Sequence, residues 1–179
     1  NATAAFIVSQ KAGINIKMIK ESFINFSGVS RRMEHKGEIN INKNRVKLID
    51  DYGHHPTEIK ATIDAVKATN PKKKISMIFQ PHRFSRSIFL FDEFIECLSE
   101  LDNVVILDIY SAGEQNQENI SAYSFVNALV DKGKNAFFAK NLKQICKHLD
   151  SIVGDEEILI TQGAGNIVDI SNSIRAIYK

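Results

Sequence analysis

Two short segments of this sequence concentrate side chains that can transfer protons or bind anions. Residues 50–58 (DDYGHHPTE) contain two adjacent aspartates, a tyrosine and two histidines. Residues 80–86 (QPHRFSR) contain a histidine and two arginines, Arg83 and Arg86. The planar guanidinium of arginine suits a carboxylate or a phosphate, so two arginines three residues apart can form an anion site. Alternatively, the two arginines pair with nearby acids in a solvated loop.

The first segment also contains the residue types that bind metal ions, because hard cations prefer carboxylates and zinc accepts imidazoles. The relevant side chains are those of Asp50, Asp51, His54, His55 and Glu58. Adjacent residues of an extended segment point to opposite faces, so the two aspartates do not turn easily towards one ion. We expect no metal site made by this chain alone. Instead, Tyr52 and His54 are predicted to face a substrate, with His55 capping or orienting the segment that follows.

A third segment, Gly163-Ala164-Gly165, follows an apolar run and precedes a helical pattern. Its backbone N–H groups can cradle a phosphate, or its glycines can serve a tight turn between strand and helix. The full dinucleotide-binding fingerprint is absent, and the sequence contains no P-loop of the form GxxxxGK[ST].

Composition indicates an ordinary globular protein; the net charge argues neither for nor against nucleic acid, and we expect no nucleic-acid or membrane partner. The 179 residues carry 44% hydrophobic and 25% charged side chains and a net charge of +2, with no long basic run. No apolar segment approaches the roughly 18 residues of a membrane span. Cys97 and Cys146 lie within amphipathic patterns, so we expect core positions, no disulfide and a cytoplasmic location.

A strand-like pattern leads into the first polar segment. Residues 38–41 and 45–49 alternate between polar and apolar on either side of 42–44 (NKN), which predicts a hairpin with a tight turn. A hairpin brings the residues before its first strand close to those after its second strand. We therefore expect the arginines at 31–32 to lie beside the aspartates at 50–51.

The remaining sequence alternates between helical and strand-like patterns. Helices are predicted within the first 36 residues and over 56–69, 88–101, 121–132, 141–149 and 167–177, and strands over 75–79, 104–109, 136–139 and 158–161. This order predicts an α/β fold with a mostly parallel sheet and helices on both faces. The polar loops then follow the carboxyl ends of the strands, where open α/β sheets bind ligands.

These motifs closely resemble those of the Mur ligases, over the whole chain. The matching segments are residues 1–5 (NATAA), 28–32 (GVSRR), 50–58, 79–86 (FQPHRFSR), 110–114 (YSAGE) and 162–167 (QGAGNI). The resemblance implies that residues 33–179 form the carboxyl-terminal, Rossmann-like ligase domain. It also implies that residues 1–32 are the helical tail of a central ATP-binding domain.

The resemblance further implies an ATP-dependent acid–amino-acid ligase of peptidoglycan precursor synthesis. Such an enzyme converts the carboxylate of UDP-N-acetylmuramate to an acyl phosphate, which the amine of L-alanine attacks. ATP and Mg²⁺ are held mainly by the central domain with its P-loop, so we expect no catalytic residue here and no activity of this chain alone. The alternatives are a ligase that recycles murein peptides and a non-catalytic anion-binding α/β module.

Individual roles follow from the same resemblance. Its pattern assigns ATP binding to Arg32, Asp51 and Asn1, with Asp51 accepting from the ribose hydroxyls. It assigns the amino acid and the sugar-nucleotide end to Tyr52, His54, Arg83 and Arg86.

Overall fold

The computed structural model describes residues 2–26 and 28–179, which divide into two compact units, Asn1–Ser30 and Arg31–Lys179. The first unit contains helices α1 (Ala2–Lys11) and α2 (Ile16–Ile24). The side chain of Asn15 caps α2 by accepting from the N–H of Lys17 at 2.8 Å. Assignment of this unit to another domain remains a prediction. Over the described ranges, no helix combines the length and apolarity that a membrane crossing requires.

The second unit opens with the predicted hairpin. Strands β1 (Glu34–Ile41) and β2 (Asn44–Asp51) pair antiparallel, with Glu34 opposite Asp50. Asn42 and Lys43 have φ values of 49° and 71°, as a two-residue turn matched to the strand twist requires. Both strands are longer than the alternating pattern indicated, so Asp50 and Asp51 belong to β2 and are held by the sheet.

One sheet contains the six strands found in the described residues. Strands β3 (Ile75–Phe79), β4 (Asn103–Ile106), β5 (Asn135–Phe138) and β6 (Ile158–Gln162) complete the order β1-β2-β6-β3-β4-β5. Strands β2 to β6 run parallel to one another. The last strand, β6, therefore inserts between β2 and β3, and the three carboxyl ends lie side by side.

Helices cover both faces of this sheet, as predicted. They are α3 (Pro56–Thr69), α4 (Phe84–Phe89), α5 (Phe91–Leu98), α6 (Ala122–Asp131), α7 (Leu142–Ile152) and α8 (Ile167–Ile177). One buried cluster joins α3, α5 and α6 to the sheet, and another joins α7 and α8 to its opposite face. Alternate residues of β6 enter different clusters, Ile158 and Ile160 one and Leu159 the other, as a strand buried on both faces requires.

The helix predicted over 88–101 is instead two helices that meet at Leu90. The apolar stripe that indicated it comprises Phe91, Phe94, Ile95, Leu98 and Leu101; all but Leu101 lie on α5, which ends at Leu98. Helix α4 buries only Ser87, so hydrophobic periodicity gave no sign of it. Because α4 starts directly after the left-handed residue Arg83 (φ 72°), it carries Arg86 close to the sheet edge.

Candidate active-site surface

The two aspartates that end β2 serve different networks. Asp50, fully buried, accepts from Arg31 Nε at 3.2 Å and from Thr161 Oγ1 at 2.6 Å. The Oδ1 atom of Asp51 accepts from Gly53 N and from the side chain of Gln162, at 2.7 and 2.8 Å. These separate partners follow from the alternation of side chains along a strand.

The adjacent arginines also diverge. Arg31 binds Asp50, and its other guanidinium nitrogen donates to the carbonyl of Gly163 at 2.6 Å. Arg32 instead reaches Glu58 Oε1 at 3.3 Å on the exposed side. Both guanidinium groups lie over the ring of Tyr52, at 5.1 and 5.4 Å from its centroid, where cations are attracted to the aromatic face. The predicted proximity of residues 31–32 and 50–51 is confirmed, but Arg31 makes the buried contact.

Helix α3 begins at the site and fixes the segment before it. His55 caps the helix, and its Nδ1 accepts from the N–H of Thr57 at 3.3 Å. Glu58 Oε2 accepts from the backbone N–H groups of His54 and His55, at 3.0 and 3.3 Å. Burial raises the pKa of Glu58, but these bonds and the Arg32 guanidinium outweigh it, so the pKa lies below its usual value. Glu58 is therefore an anion at neutral pH.

Four aromatic side chains form a continuous row along the site. Tyr52 meets His54 edge-on with centroids 5.3 Å apart, and His54 lies 5.4 Å from His82. His82 in turn stacks on Tyr110 at 5.3 Å. This row connects the loops that follow β2, β3 and β4. Residues far apart in sequence thus share one surface.

The two predicted anion-binding arginines flank this row. The NH1 group of Arg86 lies 3.4 Å from His82 Nδ1 and 3.3 Å from the carbonyl of the same residue. Arg83 is half exposed and lies 3.7 Å from Glu114, which also accepts from the N–H and hydroxyl of Ser85. Burial, His54 and both arginines lower the pKa of His82 below its ordinary value. His82 is therefore neutral at physiological pH.

The glycine segment closes the site from the β6 side. The N–H of Gly163 donates to the carbonyl of Asp51 at 3.0 Å, and its carbonyl accepts from Arg31. Both backbone groups are committed within the protein, which favours the tight turn over the phosphate cradle at this residue. A Cβ on Gly165 would lie 2.4 Å from Gln80 Oε1 and 2.9 Å from the Tyr110 ring. The turn thus requires glycine for close packing.

The structure brings Tyr52, His54 and Arg86 together and places Arg83 beside them. Asn1, predicted to contact ATP, lies outside the described residues. Sequence reasoning did not single out Arg31, Gln80 or Gln162 as site residues. The sequence gives little sign of these residues, because a polar residue near a strand end has the same sequence pattern whether its side chain points inwards or outwards. Glu58, considered as a metal ligand and as an acid near the positive end of the helix, was also recognisable as the third residue after a helix cap.

The side of the site on which Arg32 and Asp51 lie contains a cavity of about 250 Å³. It is lined by Arg32, Met33, Asp51, Glu58, Ala61 and Thr62. The Oδ2 atom of Asp51 accepts from the N–H of Met33 at 2.8 Å, and a carboxylate oxygen can accept a second bond. This donor set fits a ribose hydroxyl near a phosphate. Within residues 2–26 and 28–179, no three His, Cys, Asp or Glu side chains group as metal ligands.

Comparison with known proteins places this fold and site in a family. The family described as "Mur ligase, glutamate ligase domain" matches residues 31–165. The chain therefore belongs to the Mur ligase family.

Individual relatives give more detail. The UDP-N-acetylmuramate–L-alanine ligase of Ruthia magnifica is 40% identical over 179 residues, 99% of this chain and 38% of the relative. The ligase of the same name from Geobacter sp. (strain M21) is 37% identical over 175 residues, 97% of this chain and 37% of the relative. The solved UDP-N-acetylmuramate-alanine ligase of Thermotoga maritima superposes with a TM-score of 0.77 at 26% identity, covering 99% of this chain and 36% of that structure. The chain thus spans somewhat over a third of the length of these relatives.

Proposed function

We propose that this chain is the carboxyl-terminal part of an ATP-dependent ligase that joins L-alanine to UDP-N-acetylmuramate. Two curated relatives named for that activity align with nearly the whole chain. The observation that carries the proposal is the convergence of Tyr52, His54, Arg83 and Arg86 at the carboxyl ends of β2 and β3. Such a ligase acts in peptidoglycan precursor synthesis, in the cytoplasm.

The arginine side suits the amino acid. L-alanine presents a carboxylate that must be held while its amine remains free to attack. Arg83 is half exposed and is paired only loosely with Glu114, at 3.7 Å. Because guanidinium groups bind carboxylates with two parallel hydrogen bonds, Arg83 can exchange this partner for the substrate. Arg86, held against His82, adds a second positive charge.

The opposite side suits ATP. Asp51 offers a fixed carboxylate to the ribose hydroxyls, and Arg32 lies at the same cavity with an exposed guanidinium. Phosphoryl transfer depends mainly on positioning and charge neutralisation. ATP supplies the phosphoryl group of the acyl phosphate, and Mg²⁺ is held mainly by the central domain. Closure of that domain over this surface would exclude water and complete the active site.

Amino-acid-dependent ATP turnover by the full-length protein tests this function. With UDP-N-acetylmuramate present, we expect L-alanine to stimulate phosphate release and a murein tripeptide to have no effect. Stimulation by the tripeptide but not by L-alanine would instead indicate the peptide-recycling ligase. Binding of anions without turnover of either acceptor would indicate the non-catalytic module.

A further inference from the structure

The row of four aromatic side chains at the site includes two imidazoles, those of His54 and His82, whose ring centroids lie 5.4 Å apart. The two rings have different hydrogen-bond partners. We propose that, contrary to the expectation from the resemblance, this chain contributes a catalytic residue: His54 is the general base that deprotonates the amino group of the incoming amino acid, an assignment that rests on the proposed function. An amino acid carries a protonated amine at neutral pH. Its nitrogen has no lone pair for attack until a base within reach removes a proton.

The partners of His54 determine which of its ring nitrogens is free. Nδ1 lies 3.2 Å from the carbonyl oxygen of Tyr52 and 3.6 Å from Glu58 Oε2. Both partners are acceptors, since Glu58 is ionised, so Nδ1 carries the hydrogen. The lone pair of the neutral ring is then on Nε2. The Glu58 carboxylate also stabilises the imidazolium that forms, as the acid of a hydrolase triad does for its histidine.

His82 has the opposite arrangement. Arginine is always a donor, so the contact of Arg86 NH1 with His82 Nδ1 at 3.4 Å makes that nitrogen an acceptor. The hydrogen is then on Nε2, from which His82 can donate to a substrate oxygen. The neighbouring arginines hold the ring neutral, because they lower its pKa together with burial and His54. Of the two facing imidazoles, His54 is therefore the proton acceptor.

The charged surroundings of His54 support this division. Glu58, on α3, lies 3.6 Å from His54 Nδ1 and also forms an ion pair with Arg32. The ring of His82, in the loop after β3, lies 5.4 Å from the ring of His54, and Arg86 contacts Nδ1 of His82. Tyr52 contacts the ring edge-on, with the ring centroids 5.3 Å apart. A carboxylate thus lies against the donor nitrogen of His54, whereas a guanidinium lies against the acceptor nitrogen of His82.

The proposed step balances with the substrates alone. The Nε2 lone pair of His54 takes one proton from the ammonium group, and the freed amine forms a C–N bond to the acyl-phosphate carbonyl. The C–O bond to phosphate then breaks, and the second proton lost by nitrogen leaves with inorganic phosphate. The imidazolium returns its proton to solvent.

Hydroxylamine separates this role from a structural one, because it is a nitrogen nucleophile already uncharged at neutral pH. The test uses the full-length ligase with UDP-N-acetylmuramate and ATP, and compares L-alanine with hydroxylamine as acceptor. In His54→Asn, the amide can retain the donor contact of Nδ1 while the base is lost. We expect alanine ligation to fall about 100-fold at pH 7, with hydroxamate formation near that of the wild type.

The control variant is His148→Asn, on α7, whose Nε2 lies 3.2 Å from the carbonyl of Phe138. It should leave both reactions unchanged. Equal loss of both acceptors in His54→Asn, or loss of neither, would overturn the assignment of the base. If the wild-type enzyme uses neither L-alanine nor hydroxylamine, the proposed function is wrong, which is a distinct result.

Discussion

Arg31 and Asp50 form an ion pair that links the first residue of the second unit to the end of strand β2. Arg31 Nε lies 3.2 Å from Asp50 Oδ2, and the Asp50 side chain has no exposure to solvent. The same guanidinium binds the carbonyl of Gly163. One side chain thus joins the segment before β1 to the end of β2 and to the segment after β6.

This pair predicts unequal effects for two neighbouring arginines. Arg31→Ala removes the guanidinium partner of the buried Asp50 carboxylate and leaves the Thr161 hydroxyl as its side-chain partner among the described residues. We expect the free energy of unfolding to fall by about 3 kcal/mol, as for other buried pairs that lose one member. Arg32→Ala removes an exposed pair with Glu58 and should cost less than about 1 kcal/mol. Urea unfolding of the 179-residue chain measures both, and equal losses would contradict the distinction.

The turn at Gly163 gives a second stability prediction. At φ 146°, a Cβ there would lie 2.8 Å from the carbonyl oxygen of Gln80, a backbone atom that cannot move freely. We expect Gly163→Ala to lower the free energy of unfolding by about 3 kcal/mol. Gly113 provides the control, because it also has positive φ (87°) but its Cβ would meet nothing within 4 Å. Gly113→Ala should therefore cost only about 1 kcal/mol.

The sequence was sufficient to predict the mostly parallel sheet, the hairpin and the sheet edge at which the candidate site residues lie. Alternation in the hairpin and apolar strands between helical segments carry that information locally. The choice between Arg31 and Arg32 was not predictable, since it depends on left-handed backbone at Arg31 (φ 59°) and Met33 (φ 49°). Neither residue type favours that conformation, so only the assembled fold determines which arginine turns inwards.

The row of rings at the site was likewise beyond sequence reasoning. Its members come from three loops, and nothing in the spacing of residues 52, 54, 82 and 110 indicates contact. Their proximity follows from the strand order, in which β6 separates β2 from β3. That order cannot be deduced from element succession alone, because β6 is the last strand in the chain.

Glu157 gives a prediction for the pH dependence of stability. Burial raises the pKa of this carboxyl, although Gly154 N–H, Lys74 and Ser76 partly oppose the shift. The unfolded chain therefore ionises first as pH rises, which destabilises the folded state once the pH exceeds the unfolded pKa. Glu157→Gln should raise the melting temperature at pH 7 by roughly 2–4 °C. The gain should vanish below about pH 4, near the unfolded pKa, and a gain independent of pH would contradict this cause.

The pKa of His82 reports the charge of the side chains around it. Its pKa lies below the ordinary value because of burial, His54, Arg86 and Arg83, in that order. Removing a nearby cation favours protonation of the ring, so Arg86→Ala should raise the pKa of His82. NMR titration of the ring signals, assigned through His82→Asn, measures the change. Arg45→Ala removes a guanidinium whose partners are Glu38 and Glu156 and should leave the pKa of His82 unaltered.

The kinetic prediction concerns Arg83 in the full-length ligase. If this guanidinium holds the carboxylate of L-alanine, Arg83→Ala should raise the KM for L-alanine roughly 10- to 100-fold, the effect of losing a hydrogen bond to a charged group. The KM for ATP should change little, because the cavity proposed for the nucleotide is lined by other residues. Glu114 should remain ordered in the variant through its bonds to Ser85.

The control for loss of positive charge is Arg45→Ala, which removes an exposed arginine paired with Glu156. Parallel increases in both KM values would show that Arg83 supports the fold of the site and does not select the amino acid.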